Sequence, residues 1–339
     1  MKSITSTAYS ISTKPKTFAR PAPKKSWRSP SKPRPTPIRT LFFGTSEFAV
    51  PSLRMMAEHT DLRGVVTQPD RPSGRGHKRR ATPVKLAALE LGIPVHEPSS
   101  LATFASTVGD GYDVFALASY GKILPQALLE LPRLGALNVH PSLLPRYRGA
   151  TPLQSALRDG ANETGVTIML MDAGMDTGDI VLQERTPIDP DETYGDLHDR
   201  LAHFGALVLR HAIDLAQSGF IPREPQRGEP SVTRPIVKGD LEIDWRWDAA
   251  RIINTVRAFS PRPAARATVA RTPLKVLRAE IGTGSSGCEP GEIVGVTPPS
   301  VTVQCGRGAV NLVEVIAPNK PAATGAAFAS HIALNDPKG

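Results

Sequence analysis

Between residues 40 and 140 short apolar runs alternate with longer amphipathic stretches, and this alternation restricts the chain to an α/β fold with a mostly parallel sheet. The strand-like runs cover residues 40–43, 62–67, the neighbourhood of Val95, 114–118 and 136–140. Helices are expected over residues 48–59, from Thr82-Pro83 to about Leu91, and over 126–131. Gly44-Thr45-Ser46 turns the first strand into the first helix without a GxGxxG fingerprint, which leaves a dinucleotide site little support. In a sheet of this kind the ligand crevice lies at the carboxyl ends of the strands.

One such end, residues 136–149 (ALNVHPSLLPRYRG), carries the most informative chemistry. Asn138 and His140 lie two apart in an alternating segment, so both side chains project from one face. Pro141 and Pro145 end the strand and stiffen the turn after it, while Leu143 and Leu144 are too apolar for an ordinary solvated loop and suggest a pocket wall. Downstream, residues 166–183 offer two apolar runs joined by a Gly/Asp turn that carries Asp176, within reach of the imidazole. Each of the three polar residues, taken alone, reads most simply as a strand end or a turn cap. Together they suit moving an acyl group onto an amine with no covalent enzyme intermediate. Neutral His140 takes a proton from the amine. Asn138 donates to the developing oxyanion, worth roughly 3 kcal/mol in comparable sites. Asp176 orients the ring and favours its imidazolium.

Composition bounds the remaining possibilities. A chain of 339 residues suggests two domains, and 40% apolar with 22% charged residues describes a soluble globular protein with no apolar run near the ~20 residues of a membrane span. Cys288 and Cys305 lack metal-ligand spacing and read as reduced thiols, and the eight histidines form no HExxH or paired Cys/His group, so no metal is expected. The net charge of +9 is concentrated at one end: the first 40 residues hold ten Lys/Arg and no acid, and the rest of the chain is close to neutral. Residues 1–38 are rich in Pro, Ser, Thr, Lys and Arg and are expected to be a disordered basic extension. This extension has no secretory h-region. It fits a miscalled start codon, an organellar transit peptide or a basic arm on RNA, although seven prolines oppose a transit helix. The first of these is the preferred reading, with a cytoplasmic location; a transit peptide would imply the mitochondrial matrix or plastid instead.

Residues 68–80 read as a long surface loop in which Arg71, Arg75, Lys78, Arg79 and Arg80 face a single acid, Asp70. The loop is either a solvated basic excursion or a clamp on phosphates. A long helix follows over residues 194–218, with Leu197, Leu201, Phe204, Val208 and Leu215 on one stripe and Asp191 or Glu192 at its start. Proline-rich residues 219–238 read as a linker. Beyond them come residues 241–247, a helix near 249–258 and strands at 266–270, 274–280, 292–297, 301–304 and 309–315, a pattern that suits a small OB-type barrel. Arg251, Arg257, Arg262, Arg266, Arg271, Lys275 and Arg278 form a second basic cluster there.

The motifs 138–140 (NVH), 142–149 (SLLPRYRG) and 176–179 (DTGD) resemble the signature of the folate-dependent formyltransferases. Residues 67–76 (TQPDRPSGRG) with 83–85 (PVK), 43–49 (FGTSEFA), 118–125 (ASYGKILP) and 163–168 (ETGVTI) are most similar to the branch of that family that acts on methionyl-tRNA. The resemblance implies a Rossmann-like, mostly parallel formyltransferase domain over residues 39–220, a linker at 221–238, and an OB-like C-terminal domain over 239–339 that binds tRNA. It implies formyl transfer from 10-formyltetrahydrofolate to the α-amino group of methionine on initiator methionyl-tRNA, without ATP or metal, by a monomer that does not use a membrane. Asn138, His140 and Asp176 would be catalytic. Ser142, Leu143, Leu144 and Pro145 would pack on the pterin side of the donor, and the loop carrying Arg75 would enter the tRNA acceptor arm. Two departures stand out: Ser260-Pro261-Arg262-Pro263 lacks the family's tryptophan, and the polar tail after Phe328 lacks a basic, aromatic closing segment, so a shortened last element is expected. The alternatives are formylation of a sugar nucleotide or glycinamide ribonucleotide, hydrolysis of the donor, and an inactive RNA-binding protein on the same fold.

Overall fold

The computed structural model describes residues 37–73 and 78–335. The basic extension up to residue 36 and the loop tip that carries Arg75 lie outside these residues.

Seven strands form the main sheet: β1 (Arg39–Gly44), β2 (Asp61–Val66), β3 (Val95–His96), β4 (Val114–Ala118), β5 (Ala136–His140), β6 (Glu163–Leu170) and β7 (Ile180–Pro187). They lie in the order β7-β6-β5-β4-β1-β2-β3. Strands β1 to β5 are parallel, and β6 runs antiparallel to both β5 and β7. The strand order reverses between β1 and β4, so a crevice opens where their carboxyl ends diverge.

Both faces of the sheet are covered, as a parallel sheet requires. Phe42, Leu137, Val139, Val166 and Ile168 pack with residues of helices Val50–His59 and Tyr194–Gln217. Leu41, Phe43, Phe115, Leu117 and Ala136 form the other layer with Leu101, Phe104, Leu124 and Leu128. Since residues alternate along β5, Asn138 and His140 share the face of Ala136.

Several local expectations are corrected by long-range contacts. The long helix is capped by Thr193, whose Oγ1 accepts from the Asp196 amide at 3.4 Å while Asp196 Oδ2 accepts from the Thr193 amide at 3.0 Å. Glu192 is drawn instead to the Arg200 guanidinium at 2.7 Å, and Asp191 does not cap. Residues 68–80 are not simply a loop: Arg71–Ser73 and Lys78–Arg80 pair as an antiparallel hairpin whose Gly/Pro content hides both short strands. A helix, Leu101–Ala105, capped by Ser100, has too few residues to show a period. The proline-rich segment after the long helix is no free tether, because Val232–Thr233 pairs in parallel with Arg148–Gly149 and Glu224 bridges Ile180.

The second module is an antiparallel sheet of β8 (Ala265–Val269), β9 (Thr272–Gly282), β10 (Ile293–Thr297), β11 (Ser300–Gln304), β12 (Ala309–Ile316) and β13 (Ala322–Thr324). Its strand order is β8-β9-β12-β11-β10, with β13 beside β12. Val276, Val301, Val303, Val310 and Leu312 pack with Ile252, Val256 and Phe259 of helix Ala249–Phe259. Residues 241–247 form no ladder strand and touch the sheet through a bridge from Glu242 to Arg266. The closing element is a helix, Gly325–Asn335, which buries Phe328 and Ala329 in this core.

Thr193→Ala removes one half of the reciprocal cap and is expected to cost about 1 kcal/mol of stability. Thermal denaturation should show a midpoint lower by about 1–2 °C, the shift that about 1 kcal/mol produces in a protein of this size.

Candidate active site

His140 is buried at the end of β5, with only 4% of its surface exposed. Its Nε2 lies 2.9 Å from the Tyr147 carbonyl oxygen. A carbonyl only accepts, so Nε2 carries the hydrogen, and in the neutral ring the lone pair resides on Nδ1. That nitrogen faces Asp176 Oδ2 at 3.6 Å. The same carboxylate oxygen accepts from the Gly149 amide at 2.8 Å, which holds it beside the ring. Burial pushes the imidazole below its ordinary value of 6.5, although the Asp176 charge and the hydrogen bond to Tyr147 pull the other way. A neutral base at pH 7 results.

Asn138 lies two residues earlier on the same face of β5, half-buried, and its side-chain amide makes no hydrogen bond among the described residues. The structure therefore brings Asn138, His140 and Asp176 to one mouth of the sheet. Three non-glycine residues around this mouth have left-handed backbones: Ser119 after β4, Tyr147 and Asp176, with φ of 44°, 59° and 54°. Such conformations persist where surrounding contacts impose them. Ser46 Oγ donates to Ser119 Oγ at 2.7 Å, and the Tyr120 carbonyl accepts from Thr45 Oγ1 at 2.9 Å and Gln68 Nε2 at 2.7 Å. The ends of β1, β2 and β4 are tied together in this way.

The loop after β5 is braced by two side chains that sequence reasoning did not single out. Thr167 Oγ1 donates to the Ser142 carbonyl at 2.7 Å and accepts from the Leu144 amide at 3.3 Å. Gln183 Nε2 donates to the Leu144 carbonyl at 3.0 Å and to Thr167 Oγ1 at 2.9 Å. Ser142 itself is sealed beneath the loop, its Oγ donating to the Arg146 carbonyl at 2.7 Å. Leu143, Leu144 and Pro145 wall a cavity of about 710 Å³, together with Arg146, Tyr147, Gln183, Arg185 and residues 227–231. Asn138, His140 and Asp176 are not among its walls. The expected donor-binding residues thus divide: three line this cavity and Ser142 supports them.

The basic hairpin is rooted by Lys85, whose Nζ pairs with Asp70 at 3.0 Å and Glu97 at 2.8 Å. At its base Arg80 is exposed and pairs with Arg71, while Lys78 and Arg79 lie further out along the hairpin backbone.

Residues 39–213 match the formyl transferase family and residues 235–332 match its C-terminal domain. The methionyl-tRNA formyltransferase of Aromatoleum aromaticum (strain DSM 19018 / LMG 30748 / EbN1) is 43% identical over 290 residues, 83% of this chain and 90% of that protein. Among solved structures, WlaRD, a sugar 3N-formyl transferase studied with dTDP and 5-N-formyl-THF, superposes with a TM-score of 0.62 at 18% identity, covering 84% of this chain and 99% of its own. HypX from Aquifex aeolicus in complex with tetrahydrofolic acid gives a TM-score of 0.62 at 17% identity over 88% of this chain, which spans only 48% of the HypX chain. Those two likenesses establish a shared fold. Identity above two-fifths across both halves of the molecule establishes more: the chain belongs to the methionyl-tRNA formyltransferase family of formyl transferases.

Proposed function

We propose that the protein transfers a formyl group from 10-formyltetrahydrofolate to the α-amino group of methionine on initiator methionyl-tRNA. The observation that carries this reading is the neutral, buried His140 with its free Nδ1 turned to Asp176 and an uncommitted Asn138 amide on the same strand face.

In the reaction the methionyl nitrogen attacks the formyl carbon, a C–N bond forms, and the bond from that carbon to N10 breaks. Asn138 donates a hydrogen bond to the formyl oxygen as it gains charge. His140 Nδ1 takes one proton from the attacking amine, and the Asp176 carboxylate stabilises the imidazolium so formed. That proton then passes to the departing N10, which leaves the ring neutral again. No electron transfer or ATP enters the balance. Holding donor and amine side by side supplies much of the rate.

The apolar loop Leu143, Leu144 and Pro145 is assigned to packing against the donor, with Ser142 bracing it from beneath. The acceptor arm of the tRNA is assigned to the hairpin bearing Arg71, Arg75, Lys78, Arg79 and Arg80, whose cations pair with phosphates. The exposed cations of the second module, among them Arg251, Arg271, Lys275 and Arg278, are assigned to further phosphates of the tRNA. No helix among the described residues is long and apolar enough to cross a membrane, and we assign the protein to the cytoplasm.

Purified protein supplied with the formyl donor and either charged initiator tRNA or a small amine tests the assignment. Transfer to tRNA is the expected result, and transfer to a sugar-nucleotide amine or glycinamide ribonucleotide alone would overturn it. His140→Asn and Asp176→Asn should each lower kcat by about 10²- to 10⁴-fold, with far-UV circular dichroism unchanged. The acid limb of kcat/KM should have its midpoint below 6.5, since the folded ring releases its proton more readily than an ordinary histidine. By the same linkage the unfolded chain binds the extra proton first, so the contribution of His140 to stability is complete above pH 6.5 and declines as pH falls through and below that value. Denaturant titrations at several pH values read this directly. Arg75→Ala should weaken tRNA affinity and reduce the slope of its salt dependence by about 1, with folate binding intact.

A further inference from the structure

Asp176 holds a left-handed backbone, φ 54°, at the point where its carboxylate meets both the Gly149 amide and His140. A non-glycine residue holds this conformation where surrounding contacts impose it. The support comes from a residue 50 positions away. Gln226 Nε2 donates to the Asp176 carbonyl at 2.9 Å and to the Gly178 carbonyl at 2.8 Å, so both amide hydrogens grip the backbone on either side of Thr177. Its Oε1 accepts from Arg148 Nε at 3.1 Å and Nη2 at 2.7 Å. The amide is thereby fully engaged and fixed in orientation.

The same segment supports the histidine side of the pair. Ser231 Oγ accepts from the Tyr147 amide at 2.8 Å, and the Tyr147 carbonyl is the group that fixes His140 Nε2. Thr233 Oγ1 donates to the Arg148 carbonyl at 3.0 Å and accepts from the Thr151 amide at 3.0 Å. Residues 224–233 therefore cross the mouth of the sheet as a strap that touches the backbone beneath both members of the acid–base pair.

We propose that Gln226 is a positioning residue for formyl transfer: by clamping the Asp176–Gly178 turn from the strap it sets the Asp176 carboxylate against His140 Nδ1. The inference rests on the reaction assigned above. Gln226 itself touches neither donor nor acceptor in this scheme, so it acts on turnover rather than on substrate affinity. Its two kinds of contact are separable by substitution. Gln226→Glu keeps an oxygen for Arg148 but puts its second oxygen, an acceptor, where Nε2 donated to the two carbonyls, whereas Gln226→Ala removes both sets of contacts.

The test compares the full chain with Gln226→Ala, Gln226→Glu, Asp176→Asn and the Gln226→Ala/Asp176→Asn double variant in formyl transfer to charged initiator tRNA. Both Gln226 variants should lose about 10²-fold in kcat, the scale expected for misplacing a reacting group by about 1 Å. KM for tRNA and for the donor should stay within about twofold of wild type, because ground-state binding is untouched. In the Asp176→Asn background Gln226→Ala should cost little more, as residues acting through one another are strongly non-additive. Unchanged kcat in either variant, recovery by Gln226→Glu, or an equal loss in both backgrounds would overturn the inference. Should Gln226→Ala fail to fold, the near-isosteric Gln226→Glu carries the comparison of kcat and KM by itself, and Gln226→Glu/Asp176→Asn replaces the double variant. A wild-type protein that transfers no formyl group to tRNA would bring down the reaction assignment, and this inference with it, before any variant is compared.

Discussion

The hydrogen bond from His140 Nε2 to the Tyr147 carbonyl is the constraint on which the mouth of the sheet depends. It fixes the tautomer of a ring from which water is almost excluded, and so decides that Nδ1, facing Asp176, is the basic atom. To present that carbonyl, Tyr147 takes a left-handed backbone, and its side chain is held by Asp159 at 3.0 Å and by the Arg146 guanidinium, 5.0 Å above the ring. The preceding loop in turn hangs from Thr167 and Gln183 on β6 and β7. The loop that completes the site is thus fixed by strands.

Rigidity on this scale needs a covered sheet. Val139 packs between the sheet and the long helix, where Gly205 leaves room for close approach: a Cβ there would sit 2.8 Å from Val139 Cγ1. On β6, a Cβ on Gly165 would come within 2.5 Å of Leu143 Cδ2, so the missing side chain lets the loop lie flat on the strand. Both glycines are packing residues, and both bear on where β5 and its loop place their polar atoms.

The second module is joined to the first by backbone as well as side chains. Arg257 Nε donates to the Glu192 carbonyl at 3.0 Å and Nη2 to the Asp189 carbonyl at 2.9 Å, while the Gly195 amide donates to the Ser260 carbonyl at 3.0 Å. The start of the long helix is therefore shared between the modules. Arg234 reinforces the passage from strap to module by pairing with Asp240, whose carboxyl is lowered to about 2, chiefly by that guanidinium. The proline-rich composition of this passage gave no hint of such attachment, because prolines erase periodicity without preventing neighbouring side chains from bonding to distant carbonyls.

Sequence alone determined what depends on local periodicity and residue chemistry. The alternation of apolar runs foretold the parallel strands, the two-residue spacing of Asn138 and His140 put them on one face, and the Gly/Asp turn between two apolar runs located Asp176. Contacts far apart in the chain were decided by the tertiary structure: the choice of Thr193 over Glu192 as the helix cap, the hairpin within residues 71–80, the burial of Ser142 away from the cavity, and the grip of Gln226 on the Asp176 turn. The division has a physical origin. A strand or helix repeats its pattern every few residues and so declares itself in the sequence. A hydrogen bond between residues 226 and 176 depends only on where the completed fold brings two backbones, and leaves no local pattern to read.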